Sequence, residues 1–158
     1  MTDERLSPNL TLAEVLASDT AKRLGINNQP TPEHVANLKT LARAIFEPIR
    51  AHFGVPIYVS SGYRSDALNA ATPGANKTSQ HAHGEALDLD QDGRGNGVSN
   101  RQVFDFIRTT LAFDQLIYEF GDDASPDWVH VSYRAGRLRG EVLRGIRGPK
   151  GTKYEPFV

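Results

Sequence analysis

One segment constrains this chain more than any other: residues 31–54, where Thr31 and Pro32 open a long apolar periodicity that Gly54 closes. Threonine is a good N-cap, and proline is favoured at the first helical position because its missing N–H has no partner there anyway. Val35, Leu38, Leu41, Ala42, Ile45, Ile49 and Phe53 then recur at helical spacing. The pattern predicts a helix over residues 32–53, kinked by Pro48. A helix with one apolar stripe must bury it, so the rest of the chain has to supply a facing layer.

Short strand patterns supply that layer. Residues 56–60 (PIYVS), 86–90, 115–120, 128–133 and 141–144 read as strands, and Thr11–Glu14 and Ser99–Gln102 read as capping boxes opening further helices at about 12–18 and 99–111. A short helix is expected from Ser65 or Asp66 to Ala71, with loop over 72–78. Helices and strands in mixed order predict an α+β fold: a small antiparallel or mixed sheet with helices packed on one side. The 158 residues predict one domain over 1–158, with a core of about 9–145 and a basic C-terminal segment over 134–158.

Composition narrows the chemistry. There is no cysteine, which excludes disulfides and thiolate metal sites. The net charge of −1 gives no reason to expect a nucleic-acid partner. Arg134–Lys153 carries seven basic residues and one acid, Glu141, a local +6. That excess fits either a polyanion contact or a solvated, mobile edge. The N-terminus, MTDERLSPNL, has no apolar signal-peptide core, and no run approaches a membrane span.

The stretch SQHAHGEALDLDQDG, residues 79–93, supports two metal readings that compete for Asp88. Asp88, Asp90, Asp92 and Gly93 occupy positions 1, 3, 5 and 6 of a calcium loop, but position 12 is Ser99 rather than a bidentate Glu, and residues 86–90 read as strand rather than helix end. A secondary Ca²⁺ near Asp90 and Asp92 is the part of this reading that survives. The zinc reading takes His81 and Asp88, and needs one more ligand and an open position for water. His130 in Trp128-Val129-His130-Val131-Ser132 is the candidate: Val129 and Val131 face the core, while Trp128, His130 and Ser132 share the other face and line a cleft.

Ser61-Gly62-Tyr63-Arg64, Ser79-x-His81-x-x-Gly84-x-Ala86-x-Asp88 and Trp128-Val129-His130-Val131-Ser132 together resemble the D-alanyl-D-alanine carboxypeptidase / L-alanyl-D-glutamate endopeptidase family of zinc peptidases, whose fold is shared with the hedgehog signalling domain. The resemblance implies His81, Asp88 and His130 as Zn²⁺ ligands and peptidoglycan stem peptides as substrate. It also implies a phage or prophage endolysin-type protein, with D,D-carboxypeptidase action or a non-catalytic zinc module as alternatives. The family's general base is a Glu upstream of the last His. Ile117-Tyr118-Glu119 is similar to the hedgehog segment that carries it, and Asp127 matches the shorter spacing of other branches.

Arg64 is expected to bind a substrate carboxylate or a developing oxyanion. Ser79, Trp128 and Ser132 are expected beside it as substrate-binding residues, and the protein as a monomer. It would be made in the cytoplasm and reach the cell wall through a holin-type pore.

Overall fold

The computed structural model describes residues 4–76 and 78–158; residues 1–3 and residue 77, which falls in the predicted 72–78 loop, lie outside it. A two-stranded ribbon of β1 (Arg5–Ser7) and β2 (Leu10–Thr11) leads into α1 (Leu12–Leu16) and α2 (Asp19–Leu24). Then come α3 (Pro32–Leu41), a π-helical turn (Ala42–Phe46) and α4 (Glu47–Phe53). β3 (Val59–Ser61), α5 (Asp66–Ala71), a 3₁₀ turn (Gln80–His83) and β4 (Ala86–Leu89) follow. The chain ends with α6 (Asn100–Thr110), β5 (Gln115–Glu119), β6 (Trp128–Ser132), β7 (Glu141–Gly148) and β8 (Gly151–Pro156).

The six-stranded sheet runs β3-β4-β6-β5-β7-β8, antiparallel except for the β5–β7 pair. One face packs on the helices. Leu87, Leu89, Val129, Val131, Leu116 and Tyr118 meet Leu38, Leu41, Ile45, Phe46 and Ile49 from the long helix and Val103, Phe104 and Ile107 from α6. Alternation along β4, β5 and β6 therefore sends Asp88, His130, Ile117 and Glu119 to the opposite face. There they share the wall of an open cleft.

The predicted 32–53 helix is helical throughout but changes its hydrogen-bond register at Ala42–Phe46. Pro48 cannot donate to the carbonyl one turn back, and a wider turn just before it absorbs the clash. The strand predicted over 56–60 begins only at Val59. The Gln91 side chain takes the place of a ladder neighbour for Tyr58, accepting from its N–H at 3.0 Å and donating to its carbonyl at 2.9 Å.

The basic C-terminal segment is not a loose edge: it contains the whole β7–β8 hairpin. Its charge is largely matched in space. Arg134 pairs with Glu85, Arg137 and Arg139 with Asp114, Arg144 with Asp123, Arg147 with Asp127 and Lys153 with Glu155. Acids mostly remote in sequence therefore remove the local excess on which a polyanion contact would rest.

Candidate metal centre and catalytic cleft

Two rows of residues cross the sheet and build the cleft floor. In the first, Ser61 lies beside Asp88, Asp88 beside His130, His130 beside Ile117, and Ile117 beside Leu143. In the second, Trp128 lies beside Glu119, Glu119 beside Gly145, and Gly145 beside Tyr154. Directly opposed residues in neighbouring strands project to the same side, so each row is a fixed line of side chains.

The first row carries the candidate metal ligands. Asp88 Oδ1 lies 3.1 Å from His130 Nδ1 and 3.2 Å from His81 Nε2. One donor atom from each of the three residues lies within 4.8 Å of the others, so the sequence-predicted trio does come together. Tetrahedral donors about 2.1 Å from one ion stand roughly 3.4 Å apart, close to these separations. The donor set, two imidazoles and a carboxylate with no thiolate, suits an open zinc site with room for water. These residues therefore fit a divalent metal.

His81 is held in the right tautomer. Its Nδ1 lies 2.6 Å from the Gly62 carbonyl, which can only accept, so Nδ1 carries the proton and Nε2 presents its lone pair. Two glycines make this possible. Gly62 packs so tightly that an added Cβ would stand 2.6 Å from Val15 Cβ and Val15 O. Gly84 closes the 3₁₀ turn at φ +73°, and a Cβ there would meet the His34 carbonyl at 2.6 Å. The glycines of both sequence motifs thus fix the backbone around His81.

Burial opposes ionisation of Asp88, but the neighbouring imidazoles outweigh it and hold the carboxyl far below the usual carboxylate range. Glu119 behaves oppositely. It is 5% exposed, and burial lifts it to about 7, with Asp88 adding to the rise and His130, Tyr154 and Arg147 opposing it. A carboxyl that titrates near neutrality in a cleft is suited to accept and return a proton.

Arg64 lines the same cleft, and its buried Nε has no hydrogen-bond partner among the described residues. Burial lowers its pKa, and Asp88 pulls it back up. As a residue of the cleft lining, Arg64 can offer its guanidinium fork to a substrate oxygen. Ser79 and Trp128 also line the cleft, though the Ser79 hydroxyl accepts from the His81 N–H at 3.2 Å and so caps the 3₁₀ turn. Ser132 is a correction. It is fully buried, its hydroxyl accepts from the Gln115 N–H at 3.0 Å, and it does not line the cleft. Asp127, the alternative base, lies outside the cleft lining and pairs with Arg147 at 3.1 Å.

The Asp90 carboxylate is taken up in its own turn, where it accepts from the Asp92 N–H at 3.1 Å and from Asn100 Nδ2 at 3.0 Å. His83, beside the motif, is exposed.

The cleft, about 700 Å³, contains residues that sequence patterns did not single out. Gln80, Gln115, Arg137 and Arg139 line one end, while Phe120, Thr152 and Tyr154 line the other. Phe120 has φ +58°, rare for a bulky residue, and this lets it line the cleft directly after Glu119. It stands edge-on to Trp128 at 5.2 Å, under the Arg147 guanidinium at 3.9 Å. The paired glycines in GPKGTKY were the available signal for the hairpin that brings Tyr154.

A sequence model of the peptidase M15 family matches residues 8–132, most of the chain and all of the segments just described up to β6. A comparison with curated proteins finds no match.

Proposed function

The chain belongs to the peptidase M15 family, and from that premise we propose that it is a zinc-dependent endopeptidase that hydrolyses an amide bond in peptidoglycan stem peptides, in the manner of an endolysin. The observation that carries this reading is the convergence of His81, Asp88 and His130 one row away from the buried carboxylate of Glu119.

His81, Asp88 and His130 would hold the zinc ion, which would supply a Lewis acid for the scissile carbonyl and for water. Glu119 accepts the proton that the attacking water loses as its oxygen bonds to the carbonyl carbon. It then delivers that proton to the amine nitrogen as the C–N bond breaks. Arg64 donates to the oxygen that gains charge in between. Asp127 does not take this part in the reading, because it lies outside the cleft lining and pairs with Arg147.

An endopeptidase needs substrate on both sides of the reacting atoms. The cleft supports this: His130 and Ile117 sit mid-floor, with Gln115 and Arg139 towards one end and Trp128 and Tyr154 towards the other. The Arg64 guanidinium in the cleft lining favours a second reading, D,D-carboxypeptidase action, in which it would bind a terminal carboxylate.

Digestion of purified sacculi with and without a chelator, followed by zinc re-addition and mass spectrometry of soluble products, separates the two. Zinc-dependent release of stem peptides supports the endopeptidase and identifies the bond. Release of terminal D-alanine alone supports the carboxypeptidase. No product from protein that holds one equivalent of zinc overturns both.

A further inference from the structure

The family match ends at residue 132, yet the hairpin that follows reaches the site. Parallel pairing sets Gly145 beside Glu119, and antiparallel pairing sets Tyr154 beside Gly145. Two strand spacings, roughly 9.6 Å, separate the backbones of Glu119 and Tyr154. Even so, the tyrosine hydroxyl lies 3.5 Å from Glu119 Oε1 and 3.4 Å from Oε2. Gly145 makes the room. A Cβ there would stand 2.8 Å from Glu119 Oε2 and 3.0 Å from Tyr154 Cε1. Any side chain at 145 would wedge the two apart.

We propose that Tyr154 is a positioning residue for Glu119: its hydroxyl donates to the carboxylate and aims it along the cleft floor, through the gap left by Gly145. This rests on the reading of Glu119 as the base. A carboxylate shielded from water needs a donor to stay charged. Groups from four strands face Glu119: His130 from β6 and Arg147 from β7 favour its anion, Asp88 from β4 opposes it, and Tyr154 from β8 adds the O–H. The donor stays protonated across the working range, because burial, Glu119 and Asp88 push Tyr154 up to about 12. The hairpin beyond the matched region is thus part of the catalytic apparatus rather than an appendage.

Tyr154 is 47% exposed, so Tyr154→Phe removes one O–H without opening a core cavity. Two readouts test the proposal: pH profiles of kcat and kcat/KM on stem peptide, and carboxylate ¹³C NMR titration of Glu119 in the metal-free protein. The variant is expected to lower kcat roughly five- to thirty-fold with KM nearly unchanged. It should also move both the acid limb of kcat/KM and the NMR midpoint to higher pH.

A raised KM with unchanged kcat would mean that the tyrosine only lines the cleft. That result, or an unmoved NMR midpoint, overturns the proposal. The NMR arm needs no catalysis. A wild-type protein that cuts no peptidoglycan, with a midpoint that still moves in the variant, would sink the peptidase reading while leaving the Tyr154–Glu119 contact standing.

Discussion

His81 Nδ1 meets the carbonyl oxygen of Gly62 at 2.6 Å, and this contact decides which nitrogen of the ring is free. The carbonyl is held by a backbone approach that only glycine allows, against Val15 of α1. Gly62→Ala would put a methyl 2.6 Å from main-chain and Cβ atoms that cannot swing aside. The expected cost is about 1–3 kcal/mol of stability. Displacing the carbonyl should also weaken zinc binding by roughly 10–100-fold, because the orienting partner is lost. Thermal melts of the metal-free variant and competitive zinc titration measure the two effects separately. An unchanged zinc affinity would show that the carbonyl does not orient the ring.

Removing a ligand should act more strongly than removing its support. Wild type is expected to bind one equivalent of zinc and to melt at higher temperature when zinc is added. At a free concentration one hundred times Kd, the stabilisation is about 2.7 kcal/mol. His130→Ala leaves two donors of three, and its melting temperature should not respond to zinc in that range. Calorimetric titration alongside the melts checks this. A variant that still binds one equivalent as tightly would mean that the metal sits elsewhere.

Much of this site was legible in sequence, because alternation along short strands is a strong signal when one face is buried. Leu87 and Leu89 against Asp88, and Val129 and Val131 against His130, gave the correct faces. Ser132 has the same parity as His130 but is buried at the end of its strand, and period alone does not reveal what covers a position. The β8 strand, GTKYEP, escaped because it is an exposed edge with no apolar alternation to mark it. Tyr154 went unseen with it. The basic run looked unbalanced because its partners Glu85, Asp114, Asp123 and Asp127 come from other parts of the chain.

One of those partners carries its own test. Asp114 has a fully buried side chain bonded by Arg139 at 2.7 Å, Arg137 at 2.9 Å and Gln80 at 3.0 Å. Burial works against its charge, and the arginine bonds more than offset this, holding it at about 2. Its folded pKa is depressed, so its contribution is present above the unfolded value of about 4 and lost as pH falls towards 2. Because the arginines are half-exposed, Asp114→Asn should cost only about 1–2 kcal/mol at pH 7. The gap from wild type should close on acidification. Urea melts at pH 7 and pH 3 measure it, and an equal gap at both values would show that the charge is not the cause.

Glu119 should show the opposite sign. Its folded pKa, about 7 in the metal-free protein, lies above the ordinary value of 4.5. Between those values the folded state binds the proton more tightly than the unfolded chain, so stability falls as pH rises and is flat outside the window. The full shift corresponds to at most about 3–4 kcal/mol. Glu119→Gln keeps the shape and cannot ionise. The metal-free variant should therefore be more stable than wild type at pH 8, and the difference should shrink steadily towards pH 4.5. Bound zinc places positive charge in the same cleft and eases the burden on the anion, so the advantage at pH 8 should be smaller in zinc-loaded protein. Paired melts at pH 4.5, 6 and 8, with and without zinc, give the whole curve. A stability difference that does not change with pH would mean that burial does not raise this carboxyl, and the case for it as a base poised near neutrality would fall.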